Sequence, residues 1–96
     1  MALTLDSRVR LNNGVEMPVL GLGVWNIAAG RATQAAVRNA LESGYRLIDT
    51  AKLYGNEADV AIAVQESGVP REDVFVTTKL WNTDHGYKST IQAFEE

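Results

Sequence analysis

The sequence predicts an α/β fold in which a β-hairpin precedes three alternating strand–helix units. Three apolar runs indicate buried strands, because none of them alternates cleanly between polar and apolar residues. Amphipathic helical patterns separate these runs, and each strand–helix unit takes about 27 residues, as in alternating α/β folds. The three runs are residues 19–23, 46–50 and 74–79.

The hairpin comes before the first of these strands. A three-residue loop over residues 12–14 places four apolar side chains on one face, and Gly14 supplies the left-handed conformation that such a loop needs. A two-residue turn at Asn13–Gly14 would instead pair Leu11 with Glu16. The sequence therefore favours the longer loop, with Val9, Leu11, Val15 and Met17 on the shared face.

Apolar residues at helical spacing predict three helices. The first stripe ends before Gly44, which stands where a C-terminal cap belongs, and the second ends before Gly68 and Pro70. The third begins after the turn residues Thr83 and Asp84. The stripes are Thr33, Ala36, Val37, Ala40 and Leu41 in the first helix, Glu57, Val60, Ala61 and Val64 in the second, and Tyr87, Ile91 and Phe94 in the third.

Two α/β architectures agree with this order of elements, an open doubly wound sheet and a (β/α)8 barrel. An open sheet that binds a dinucleotide usually carries three glycines on its first strand–helix turn, whereas residues 21–26 hold two and lead into a long loop. A (β/α)8 (TIM) barrel is therefore favoured. Because such a barrel needs about 250 residues, we expect residues 1–96 to be a partial, truncated domain, incomplete at the C-terminus.

Composition excludes several classes of function. The chain has no cysteine, so disulfides, thiolate metal sites and cysteine nucleophiles are ruled out, and we predict no metal site. The net charge is −3 and the basic residues are dispersed, so nucleic acid and anionic membrane are not expected partners. Residues 1–6 lack the basic start of a secretory signal, and no apolar run approaches a membrane span of about 20 residues. We expect a cytoplasmic location.

In a barrel, side chains at the carboxyl ends of the strands point into the active site. Asp49 ends the second strand, Tyr54 lies on the loop after it, and Lys79 ends the third strand. The first strand runs into Trp25, and Trp81 begins the loop after the third. The sequence therefore predicts that a carboxylate, a phenol, an amine and two indoles meet at one mouth.

These groups suit proton transfer to a carbonyl oxygen. An unperturbed tyrosine has a pKa of about 10, and a nearby ammonium favours the phenolate. A buried lysine needs a counter-charge, which Asp49 can supply. Tyr54 would then protonate the carbonyl oxygen while Lys79 tunes it. Because no side chain can supply a hydride, an external cofactor is implied.

Motifs around these residues resemble the aldo-keto reductases. Residues 44–51 followed by Tyr54-Gly55-Asn56-Glu57 are similar to the first signature of that family. Met17-Pro18 with residues 21–25 resemble the family's opening strand, and residues 67–73 and 77–82 resemble its third strand and the approach to it. The motifs cover nearly the whole chain in the expected order.

The resemblance implies NADPH-dependent reduction of aldehydes or ketones to alcohols, with Asp49, Tyr54 and Lys79 as three members of a catalytic tetrad. The fourth member, a histidine, would lie beyond Glu96, and His85 does not match it. The resemblance also implies a small carbonyl substrate and a monomeric full-length enzyme. It assigns the cofactor to Gly23, Val24, Trp25 and Asp49, and the substrate to Trp25 and Trp81.

Three expectations qualify this interpretation. Val24 stands where the family often has a threonine that can touch the cofactor, so this chain lacks that hydroxyl. A binding or regulatory member of the same fold, without turnover, is the alternative function. Finally, residues 1–96 alone would expose unpaired strand edges, so we expect a chain of this length to be inactive and able to self-associate.

Overall fold

The computed structural model describes residues 3–96, and its first element is the hairpin. Strands β1 (Arg8–Arg10) and β2 (Glu16–Pro18) are antiparallel, and Val9 faces Met17. The amide of Leu11 donates to the carbonyl of Val15 at 2.8 Å, and Gly14 has a φ of 87°. The three-residue loop and its register are therefore confirmed.

Three parallel strands follow in the order β3 (Leu22–Gly23), β4 (Leu47–Asp49) and β5 (Phe75–Thr77). Each is shorter than its apolar run. In particular, the ladder of β5 ends at Thr77, so Lys79 lies two residues beyond it rather than at its end. The expectation of strands buried on both faces is wrong for β3 and β5, because the helices among residues 3–96 bury only the outer face of the sheet.

Helices α1 (Arg31–Glu42) and α2 (Glu57–Glu66) follow β3 and β4 and pack against each other and the outer face of the sheet. The register pairs Leu22 with Ile48 and Ile48 with Val76, which puts these side chains on that face. Apolar burial there holds the elements together. The core consists of Val24, Val37, Ala40, Leu41, Ile48, Val60, Ala63, Val64 and Val74.

Helix α1 ends as its sequence predicts. Gly44 has a φ of 103°, and its amide donates to the carbonyl of Leu41 at 3.1 Å. The amide of Tyr45 donates to Ala40 at 2.9 Å. This pair of hydrogen bonds is a Schellman motif, which satisfies the last helical carbonyls and turns the chain into β4.

The other two helices depart from the predicted stripes. In α2, Ala61 is exposed and Ala63 is buried in its place, because Ala63 shares the face of Val60 and Val64. In α3 (Tyr87–Glu95), Tyr87 and Phe94 are 85% and 87% exposed, so the expected apolar face is not packed against residues 3–96.

No helix among residues 3–96 is long and apolar enough to cross a bilayer. Met1 and Ala2, part of the segment considered as a secretory signal, lie outside the described residues.

Candidate active site

The centre of the candidate site is an ion pair between neighbouring strands. The Nζ of Lys79 donates to Oδ1 of Asp49 at 2.7 Å and to the carbonyl of Thr50 at 3.0 Å. The side chains of Lys79 and Asp49 are 48% and 41% exposed. The expectation of a buried lysine is therefore wrong for this chain, since the sheet face that carries the pair is open to solvent.

Tyr54 lies beside this pair, as the sequence predicts. It ends the 3₁₀ turn Lys52–Tyr54 after β4, and the left-handed Gly55 follows it. The Nζ of Lys79 is 5.4 Å from the centre of the Tyr54 ring, within the range of a cation–π contact. Acid, phenol and ammonium thus meet at the carboxyl edge of β4 and β5.

The charge of Lys79 is stabilised by its neighbours. The hydrogen bond that Lys79 donates to Asp49 raises the pKa of Lys79 above its ordinary value, and Tyr54 makes a smaller contribution in the same direction. Desolvation, the second-largest effect, acts in the opposite sense without reversing the shift of the Lys79 pKa. Lys79 is therefore an ammonium throughout the neutral range, which is the state in which it can act electrostatically on a phenol.

A depression of about 240 Å³ lies between the loops that follow β4 and β5, and we call it the site depression. Trp81 lines it together with Tyr54 and Lys79, which brings one of the two predicted indoles to the site. The complete lining is Ala51, Leu53, Tyr54, Lys79, Leu80, Trp81 and Asn82.

The second indole is not part of this depression. Trp25 follows β3 and is 69% exposed, next to Asn26, whose φ of 62° turns the chain away from the strand. An exposed aromatic ring at the edge of a site is a suitable surface for a ligand, but residues 3–96 do not place Trp25 against Tyr54 or Lys79 in one pocket.

Gly23 and Val24 occupy different environments. Gly23 pairs with Asp49 across the sheet, and a Cβ placed on it would meet no atom within 4 Å, so its position is open to a ligand. Val24 is fully buried in the core beneath the helices. Because successive strand residues face opposite sides of a sheet, its side chain points away from the site. Cofactor contact through that side chain is a prediction that this structure does not support.

Sequence reasoning missed Asn56, a buried residue that joins the loop after β4 to the loop after β3. Asn56 is fully buried; its Oδ1 accepts from the hydroxyl of Thr50 at 2.8 Å, and its Nδ2 donates to the carbonyl of Val24 at 3.1 Å. The available signal was its position between Gly55 and a helix start, which is also typical of an ordinary N-cap.

Comparison with known proteins identifies the family of this chain. The family model described as "Aldo/keto reductase family" matches residues 19–96. The chain belongs to the aldo-keto reductases. The predicted α/β class, with its hairpin and strand–helix units, is thereby confirmed.

Relatives of this aldo-keto reductase chain have several substrates in their names. It is 59% identical to 9,11-endoperoxide prostaglandin H2 reductase of Trypanosoma cruzi, over 91% of this chain and 31% of that protein. It is 49% identical to glyoxal reductase of Bacillus subtilis, over 100% of this chain and 35% of that protein. The crystal structure of an aldo/keto reductase from Brucella melitensis superposes with a TM-score of 0.87 at 51% identity, covering 94% of this chain and 35% of that one. The chain thus spans about a third of the length of these relatives.

The residues of this edge suit one part of a nicotinamide cofactor. The open position at Gly23 and the exposed carboxylate of Asp49 can approach a ligand without a steric conflict. Ligand pockets usually measure about 300–1,000 Å³, so the site depression can hold a small carbonyl or the reacting end of a cofactor, but not a whole dinucleotide. Among residues 3–96, no group of three acidic or histidine side chains could hold a metal ion.

Proposed function

We propose that the full-length gene product containing this sequence reduces aldehydes or ketones to alcohols with NADPH, and that Tyr54 is the general acid. The observation that carries the proposal is the ammonium of Lys79, held at 2.7 Å by Asp49 and 5.4 Å from the ring of Tyr54. Family membership supports an oxidoreductase of carbonyl compounds in general. The choice of NADPH and the role of each residue are our inference.

In this proposal Tyr54 gives its hydroxyl proton to the carbonyl oxygen. The ammonium of Lys79 stabilises the negative charge left on the phenol, because opposite charges at short range favour the ionised form. Asp49 keeps Lys79 in place through its short hydrogen bond and neutralises it in the resting site. Trp81 forms an apolar wall of the site depression beside these groups.

The cofactor would supply the hydride that no side chain can provide. Gly23 and Asp49 are the residues of this chain that could lie against its reacting end, since both are accessible at the carboxyl edge of the sheet. Trp25 could cover that end with its exposed indole. A cytoplasmic location, where reduced nicotinamide cofactors are abundant, is part of the same proposal.

The names of relatives agree with a broad substrate class. Glyoxal reductase of Bacillus subtilis acts on a small dialdehyde according to its name, and morphine 6-dehydrogenase of Pseudomonas putida, 53% identical over 92% of this chain, acts on an alcohol. Because reduction of a carbonyl and oxidation of an alcohol are the two directions of one reaction, both names support the same chemistry.

The test is cofactor oxidation by the full-length gene product with a panel of small aldehydes, using NADPH and NADH in parallel. Replacing Tyr54 with Phe removes only the proton donor. We expect kcat to fall by about 10²–10⁴-fold, the usual contribution of general acid catalysis, while the Kd for NADPH changes little. Tyr45→Phe is the matched control, because Tyr45, like Tyr54, packs against the core but does not line the site depression.

The first outcome discriminates between the two candidate functions, and the second tests the role of Tyr54. Tight binding of NADPH without turnover of any aldehyde would favour the binding or regulatory alternative. Full activity of the Tyr54→Phe variant would exclude Tyr54 as the general acid, whatever the substrate.

A further inference from the structure

The two loops that enclose the site depression are joined near the strands by their main chains. The amide of Thr50 donates to the carbonyl of Thr77 at 2.7 Å, and the amide of Lys52 donates to that of Lys79 at 3.2 Å. These bonds continue the parallel ladder one step beyond β4 and β5. They fix the floor of the site but leave the outer parts of both loops, which carry Tyr54 and Trp81, without main-chain pairing to each other.

A second connection lies further out. The Nζ of Lys52 donates to Oδ2 of Asp84 at 2.7 Å. Lys52 begins the 3₁₀ turn that ends at Tyr54, and Asp84 ends the 3₁₀ turn Asn82–Asp84 that follows Trp81. The pair therefore joins the turn that carries the phenol to the turn next to the indole.

Both partners are held for this contact. The Asp84 side chain is only 20% exposed, its amide donates to the carbonyl of Trp81 at 2.9 Å, and its own carbonyl accepts from the hydroxyl of Thr90 at 3.2 Å. The pKa of Lys52 is raised, chiefly by its hydrogen bond with Asp84, so its charge persists at neutral pH. Glu96 lies 3.4 Å from the same ammonium, further than Asp84 at 2.7 Å, and its side chain is more exposed. Asp84 is therefore the main partner of Lys52.

We propose that the Lys52–Asp84 ion pair is a clamp that sets the separation of Tyr54 and Trp81, and with it the width of the site depression. Neither Lys52 nor Asp84 lines that depression, so both act as positioning residues rather than by touching substrate. This proposal rests on the proposed carbonyl reduction, since the depression matters only if it receives a substrate.

The clamp predicts a change in substrate binding rather than in proton transfer. Replacing Lys52 with Met, or Asp84 with Asn, leaves Asp49, Tyr54 and Lys79 intact. We expect kcat/KM for a neutral aldehyde to fall by about two- to fivefold, the range of a partly exposed ion pair, with most of the change in KM. The charge-exchanged double variant Lys52→Asp with Asp84→Lys should recover at least half of this loss on a logarithmic scale.

The experiment uses the full-length gene product at saturating NADPH, at low and at high ionic strength. Salt weakens exposed ion pairs, so KM of the unsubstituted enzyme should rise with salt toward the value of the Lys52→Met variant, whose own KM should change less. Arg38→Met is the matched control. It removes the exposed Arg38–Glu66 pair between α1 and α2, which has a similar length of 3.0 Å and lies outside the site.

The outcomes separate this proposal from the proposed function. If the unsubstituted protein turns over no aldehyde, the function itself has failed. If it is active but Lys52→Met and Asp84→Asn both match Arg38→Met in KM, or if the charge-exchanged variant recovers nothing, the clamp is overturned. Should Lys52→Met fail to fold, Asp84→Asn, which keeps the side-chain volume, and the salt dependence of the unsubstituted enzyme still decide the question.

Discussion

At the scale of single residues, the site edge requires small side chains as well as reactive ones. Gly21 precedes β3 and lies against Leu47 of β4. A Cβ placed on Gly21 would come within 2.6 Å of Cγ and 2.9 Å of Cβ of Leu47. The second of these atoms is next to the main chain and cannot rotate away. Gly21 therefore permits β3 to approach β4 closely, which brings Gly23 opposite Asp49.

We predict that Gly21→Ala destabilises the protein by about 1–3 kcal/mol, the usual cost of overpacking. Gly23→Ala is the matched control two residues away, because its Cβ would meet no atom within 4 Å. The control should be neutral or stabilising by up to about 1 kcal/mol through loss of unfolded-state entropy. Chemical unfolding of the two variants measures both effects. Equal stabilities would show that β3 does not need its close approach to β4.

At the scale of elements, helix α1 is capped by helix α2. Gly30 precedes α1 and has no side chain with which to cap it. The carboxylate of Asp59 in α2 accepts from the amide of Gly30 at 2.8 Å and from Nε2 of Gln34 at 2.9 Å. Asp59 thus serves α1 as an N3 glutamate does in a capping box, but from a neighbouring helix. It also fixes the loop between β3 and α1, which begins at the site edge.

This contact makes stability depend on pH. The hydrogen bond from Gln34, followed by that from Gly30, lowers the pKa of Asp59 below its ordinary value of 3.8. A carboxyl group whose pKa is lower in the folded protein than in the unfolded chain stabilises the fold. This stabilisation is complete above the pKa of the unfolded chain and is lost as the pH falls through the pKa of the folded protein. We therefore predict that Asp59→Asn loses stability at neutral pH and shows a weaker decline in stability below about pH 4.

Thermal unfolding between pH 2 and pH 7 tests this prediction. Glu66→Gln is the control, because it also removes a carboxylate of α2 that contacts α1, through the exposed pair with Arg38, while leaving the hydrogen bonds of Asp59 to Gly30 and Gln34 intact. Its acid dependence should resemble that of the unsubstituted protein. Identical pH profiles for Asp59→Asn and the unsubstituted protein would contradict a role of Asp59 as a cap.

The sequence predicted elements wherever local patterns decide the structure. The stripe of α1 and its terminal Gly44 are local features, and so is the loop at residues 12–14. The meeting of Asp49 with Lys79 followed from the rule that parallel strands end at one edge. In these cases, neighbouring residues or a general rule of the fold were sufficient.

Other features depend on the register between elements, which the sequence does not display. Val24 follows Gly23, which pairs with Asp49, and only that register shows that Val24 faces the helices. Similarly, burial of Ala63 rather than Ala61 depends on how α2 rotates against α1. The bridge made by Asn56 needs two loops at once, the one after β3 and the one between β4 and α2. These are tertiary properties, and residue periodicity alone leaves them open.

At the scale of the whole molecule, the three parallel strands form an open sheet. Within residues 3–96, β3 and β5 each pair with β4 alone, so each has one edge without a partner strand. The amphipathic face of α3 is also uncovered, with Tyr87 85% and Phe94 87% exposed. Unpaired edges and exposed aromatic faces are the features through which protein chains associate.

We therefore predict that residues 1–96, expressed as a separate chain, associate into dimers or larger species and do not oxidise NADPH with aldehydes. Sedimentation analysis over a range of concentrations measures the association. The double variant Ile91→Glu with Phe94→Glu places charges on the uncovered face of α3, so it should shift the population toward monomer if that face contributes. If the double variant still associates, the strand edges are responsible, because the variant does not alter their exposure. A monomeric chain that unfolds cooperatively at every concentration would contradict the prediction, because it would mean that helices α1 and α2 are sufficient to stabilise the open three-stranded sheet.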